Sequence, residues 1–176
     1  MKWRWPLAMA ILCLITGILS GCETAKKLGQ VIADPNIKVG EAAEQPSELV
    51  VTLLTEPNAN SNESGEGLPV SVQLIYMSED SKLQEADFDL IAGAKLDEVL
   101  GKNYIDNQDF SLLPDTIKTL PQIKMNPATR YIGVVAYFAD DQITEWKQIT
   151  SVEGIGHTYH LLVHVRDSSI ELKKEE

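Results

Sequence analysis

From Glu48 onward, the apolar residues of this chain fall at every second position. Leu49, Val51 and Leu53 share one parity over residues 48–55; Val70, Val72, Leu74 and Tyr76 share one over 70–77, with Ser71 and Gln73 on the other. A side-chain period of two places one set of residues on one face of a strand, so the chain is committed to sheets with one buried face. Tyr131–Phe138 is apolar on both parities, as expected of a central strand covered on both sides. Further strands are expected near 108–113, 116–123, 130–138, 144–149, 158–166 and 169–173, with turns at Pro114-Asp115, Asn126-Pro127, Asp140-Asp141 and Asp167-Ser168. About eight short strands at this spacing predict a mainly β fold, a two-sheet β-sandwich.

Two segments break the alternation. Ser81 and Gln84 have capping-box spacing, and Leu83, Ala86, Leu90 and Ile91 line one helical face up to Gly93. Leu96, Val99 and Leu100 predict a second short helix closed by Gly101. Together they form a small helical insert between the second and third strands. The other segment, Glu56 to Gly67, holds three Asn, three Glu and two Gly and no large apolar residue. Loops of that length are functional or disordered more often than they are simple connections.

The first 21 residues belong to export. Lys2 and Arg4 precede an apolar run, Leu7 to Ile18, broken only by Thr16 and Gly17. That run is shorter than the ~20 residues a membrane-spanning helix needs. Leu19-Ser-Gly-Cys22 then resembles a bacterial lipobox, which predicts cleavage before Cys22 and acylation of its thiol and new amino group. Several acyl chains anchor durably where one does so only marginally. Enteric-type sorting retains lipoproteins with aspartate after the cysteine in the inner membrane, so Glu23 favours the periplasmic face of the outer membrane. The expected organisation is a signal peptide over 1–21, a lipidated tether over 22–47 and a β-sandwich domain over 48–176. As a flexible coil the tether would average roughly 25–30 Å end to end.

Cleavage removes two of 15 basic residues and none of 26 acidic ones, which leaves 13 against 26, a formal charge of −13. A surface so acidic repels phosphate backbones, which argues against nucleic acid as a partner. Cys13 departs with the signal and Cys22 is lipidated, so no disulfide and no thiol nucleophile is expected. His160 and His164 would share a strand face about 13 Å apart, too far to share one zinc, and His157 has the other parity. Neither a phosphate-binding glycine loop nor a nucleophile elbow occurs, and no cofactor or enzymatic activity is expected.

Four pieces of the sequence resemble the TssJ family, the outer-membrane lipoproteins of type VI secretion. These are Gly67-Leu-Pro-Val-Ser-Val-Gln-Leu-Ile-Tyr76; Leu83-Gln-Glu-Ala-Asp-Phe-Asp-Leu90, like the family's A-D-F helix; Arg130-Tyr-Ile-Gly-Val-Val-Ala-Tyr137; and Trp146 followed by basic Lys147. The resemblance implies a transthyretin-like sandwich with a helical element. It also implies binding to the periplasmic C-terminal region of the inner-membrane protein TssM, and through it an indirect link to TssL. The family's contact loop maps to residues 56–69, with Asn58, Asn60, Asn62, Glu63, Glu66 and Leu68 as candidate contacts. Lys147 stands where the family usually has arginine, which is expected to be a surface change. Two rivals remain from the residues themselves. A periplasmic lipoprotein binding a glycan or peptide, unrelated to secretion, predicts a concave aromatic patch; a hydrolase predicts a serine or carboxylate close to a histidine in a cleft.

Overall fold

The computed structural model describes residues 45–140 and 145–176. The signal peptide, Cys22 and nearly all of the tether lie outside the described residues, as do Asp141 and Thr144. Two sheets face each other. One has the order β4-β1-β8-β9, from β1 (Glu48–Thr55), β4 (Thr116–Thr119), β8 (Thr158–Val165) and β9 (Ile170–Glu175), with β5 (Ile123–Lys124) also paired to β1. The other has the order β3-β2-β6-β7, from β2 (Val70–Met77), β3 (Tyr104–Leu112), β6 (Tyr131–Tyr137) and β7 (Lys147–Ser151). Strands β1 and β8 run parallel, and the other named pairs run antiparallel.

The expected parities hold. Leu49, Val51 and Leu53 meet Val72, Leu74, Ile132 and Val134 in a core where each is at most 1% exposed. Removing such side chains from water contributes about 1.5–3 kcal/mol each, and no disulfide among the described residues shares that task. β6 is buried on both faces because three short helices, α1 (Ser81–Glu85), α2 (Phe88–Gly93) and α3 (Leu96–Leu100), form the insert over its outer side.

Four local expectations are corrected. The strand expected over 116–123 is two strands, since Pro121 brings no N–H to a ladder, which gives nine strands among the described residues instead of eight. β3 starts at Tyr104, ahead of the strand expected from 108, so Asp106 to Asp109 pairs with Gln73–Tyr76. An edge strand tolerates such polar side chains because half its surface stays wet. The single helix expected over 81–91 breaks at Ala86, and Leu90 is left 47% exposed. The break has a local cause: Asp87 Oδ1 accepts from the Leu90 N–H at 2.8 Å and starts a new helix. Finally, the N-cap of α1 is Asp80 in place of Ser81.

Candidate functional site

Residues 56–69 carry the chain from the end of β1 to the start of β2, across one end of the sandwich. The segment is ordered by its own backbone. The Glu56 carbonyl accepts from Ala59 N at 3.0 Å, and Leu68 N donates to the Ala59 carbonyl at 3.0 Å, which ties the two arms together. Ala59 is fully buried beneath them. At the tip, Asn62 Oδ1 accepts from Ser64 N at 2.9 Å and Glu66 N at 3.0 Å, and Gly65 takes a φ of +78° that suits glycine.

Asn60 joins this loop to its neighbours. It is 5% exposed, with a φ of +52° that asparagine tolerates better than most residues. Its Nδ2 donates to the Pro69 carbonyl at 2.8 Å, its Oδ1 accepts from Ala139 N at 2.6 Å, and its own N–H donates to the Asp167 carbonyl at 3.1 Å. One residue therefore fixes the loop, through its side chain to the end of β6 and through its backbone N–H to the end of β8. Of the candidate contacts named from sequence, Asn60 sits underneath and positions the others. Asn58, Glu63 and Glu66 are exposed, while Asn62 and Leu68 are half-buried.

A cleft of about 630 Å³ opens between the loop and the two neighbouring turns, and Asn62, Glu63, Leu68, Asp140 and Asp167 line part of it. Ser61 Oγ donates to Asp167 Oδ1 at 2.5 Å across its floor. At the root of the loop, the Glu56 carboxylate lies 3.0 Å from His164 Nε2 and 3.6 Å from Arg166 Nε. Arg166 also reaches Glu171 at 3.0 Å. His164 is thus held between carboxylates, His160 is exposed, and His157 bonds Glu176 and lies 3.3 Å from Glu153. Among the described residues, no group of three His, Cys, Asp or Glu side chains is placed to hold a metal ion.

The helical insert forms a second constellation. Phe88 packs edge-on against Trp146 with ring centroids 5.3 Å apart, and against Tyr137 at 5.9 Å. Lys147 Nζ donates to the carbonyls of Leu83, Gln84 and Ala86 at 2.8, 2.7 and 2.6 Å. The residue expected to be a surface change is therefore a cap on α1. Burial lowers its pKa from the ordinary lysine value, against an opposing pull from Asp87. Tyr137 is half-buried, and burial raises its hydroxyl to about 12, with Asp109 adding to the shift. Beside the insert lies a cleft of about 500 Å³ bearing Tyr104 and Tyr137, but both hydroxyls are spent on Asn107 and Gln73.

Comparison with known proteins settles the family. The model of the family described as type VI secretion lipoprotein, VasD, EvfM, TssJ matches residues 47–168. The chain belongs to the TssJ family. Its membership overturns the rival of a lipoprotein unrelated to secretion. No curated protein matches the chain significantly. Among solved structures it is similar to the T6SS lipoprotein TssJ1 from Pseudomonas aeruginosa, with a TM-score of 0.69 and 24% identity over 74% of this chain and 98% of that one. It is also similar to Serratia marcescens Lip, a membrane-bound component of the type VI secretion system, with a TM-score of 0.64 and 16% identity over 72% and 96%. A chain in the structure described as the T6SS protein TssM C-terminal domain from EAEC matches with a TM-score of 0.58 and 17% identity over 72% and 97%. These likenesses establish the transthyretin-like sandwich of the TssJ lipoproteins as the fold.

Proposed function

We propose that this TssJ-family protein is a lipid-anchored periplasmic scaffold of the outer membrane, with no catalytic role. It would dock the periplasmic C-terminal region of TssM through loop 56–69 and so help assemble the membrane complex that also holds TssL. Acyl chains on Cys22 would confine it to the membrane, and residues 22–47 would set the height of the sandwich above it. The observation that carries this reading is the loop itself. A polar segment of this length, pinned by a buried asparagine, is presented in one conformation before any partner arrives. Preorganisation spares the partner the cost of ordering the loop. Confinement to a surface raises effective concentration, so modest affinity per copy suffices when several copies ring an assembly.

The test is capture of the TssM periplasmic region from the same organism by residues 22–176 carrying Cys22→Ser. Parent and a Gly/Ser replacement of residues 58–66 would be compared. Capture by the parent and loss with a folded replacement supports the docking site. Capture by both moves the contact elsewhere on the sandwich, and capture by neither removes TssM as partner.

A further inference from the structure

Loop 56–69 lacks what a stable protein contact has at its centre. Interfaces enclose an apolar core within a polar rim, and a few apolar, aromatic or arginine anchors carry most of the affinity. The loop offers Asn, Ser and Glu, with half-buried Leu68 its only large apolar side chain. The missing anchors lie next door. Four large apolar side chains are exposed among the described residues: Leu90, Leu113, Ile117 and Ile155. Leu113 at 63% and Ile117 at 73% are the most exposed of these, and both flank the turn between β3 and β4.

That turn is bonded to the loop. Asp115 N donates to the Glu56 carbonyl at 3.2 Å, and Thr55 Oγ1 donates to the Leu113 carbonyl at 2.6 Å. Gly67 is so close that an added Cβ would meet the Pro57 carbonyl at 2.4 Å and Pro114 at 3.0 Å. Turn and loop therefore form one continuous surface at this end of the sandwich. The other exposed residues of β4, Lys118 and Thr119, are polar, as suits an edge strand. An isoleucine left open on such a strand is a liability unless something covers it.

The charge around this patch says what covers it. Glu63, Glu66, Asp115 and Asp167 are exposed on the same end, with Glu56 half-buried among them. The nearby cations are engaged: Lys118 lies over the Phe110 ring at 5.4 Å, and Arg166 lies between Glu56 and Glu171. We infer that Leu113 and Ile117 are the apolar anchors of the docking surface, and that the partner segment seated on them carries an apolar side chain flanked by lysine or arginine. This rests on the docking role proposed above. The loop then acts as the polar rim that sets orientation, and the turn supplies the area removed from water.

The experiment measures binding of the TssM periplasmic region to residues 22–176 carrying Cys22→Ser. The variants are Leu113→Ser with Ile117→Thr, and, as a control on the two other exposed apolar positions, Leu90→Ser with Ile155→Thr. The first pair is expected to weaken binding about tenfold or more at an unchanged melting temperature, and the control by less than about twofold. If the first pair binds like the parent while replacement of 58–66 abolishes binding, docking stands and the anchors are wrong. If the parent itself does not bind, docking fails and the anchors fail with it. If sedimentation shows a parent dimer that the first pair splits, the patch is a contact between two copies and the inference is overturned.

Discussion

Lys147 donates its ammonium to the carbonyl oxygen of Ala86 at 2.6 Å, at the point where α1 ends. The last carbonyls of a helix have no partner inside it, and Lys147 serves three of them from the neighbouring sheet. Its Nζ also lies 4.8 Å from the Trp146 ring. Lys147→Met should lower stability by about 1.5–3 kcal/mol, the range for hydrogen bonds to a charged group. Lys147→Arg, the family's usual residue, should restore most of it. Urea unfolding of both variants decides this; a neutral Lys147→Met would mean that Phe88 and Trp146 hold the insert alone.

Removing the Asn60 side chain should be felt in three places. Asn60→Ala leaves the Ala139 N–H and the Pro69 carbonyl without their partner and puts a less tolerant residue at a φ of +52°. About 2–4 kcal/mol is expected from two orphaned groups. Asn60→Asp keeps an acceptor for Ala139 but cannot donate to Pro69, so it should fall between. Amide hydrogen exchange at Leu68 and Ala139 should quicken in Asn60→Ala, and unchanged protection there would count against its positioning role.

His157 predicts a pH dependence. Its hydrogen bond to Glu176, with Glu153 adding to it, raises its pKa above the ordinary 6.5. A histidine whose folded value exceeds its unfolded one contributes stability that is complete below the unfolded value. That contribution fades as pH rises through the folded value. Melting temperature should therefore drop as pH climbs from about 6 to 8, and His157→Gln should flatten the slope. An NMR titration of the imidazole that returned 6.5 or lower would sink the prediction.

Gly133 should resist enlargement. A Cβ there would lie 2.4 Å from Leu83 Cδ2 and 3.0 Å from Met77 Cε, both ends of flexible side chains. Gly133→Ala should cost about 1–3 kcal/mol as an overpacking change. Combined with Leu83→Ala it should cost clearly less than the sum, since one change makes room for the other. Strictly additive unfolding energies would show that α1 does not rest on this glycine.

β1 and β8 were legible because their buried residues alternate, and β6 was legible as a covered central strand because it is apolar on both parities. β3 was not, since an edge strand needs few apolar residues and Asp106-Asn-Gln-Asp109 carries none. The break at Asp87 was hidden because a cap and a helical surface residue look alike until the chain bends. The sequence pieces that carry the family resemblance meet mostly at one place: Phe88 on Trp146 and Tyr137, Leu83 over Gly133, and Lys147 under α1. They describe how the insert is seated. The loop's contact chemistry is not written in them, and a chain pattern cannot tell that Asn60 points inward while Asn58 points out. Leu113 and Ile117 escaped notice because exposure is a property of the assembled edge.

The direction of β1 has a mechanical consequence. The chain enters this strand at Glu48 and leaves it at Thr55, about 23 Å further on at ~3.3 Å per residue, directly into loop 56–69. A pull between the residue 22 side of the chain and a partner gripping the loop therefore runs lengthwise along β1. Its neighbours on both sides, β8 in parallel and β4 with β5 in antiparallel, resist sliding with their hydrogen bonds loaded together rather than one after another. The same rungs pulled from one end would part in sequence. Under the proposed anchoring and docking, β1 would carry that load in shear, the orientation in which a sheet yields last.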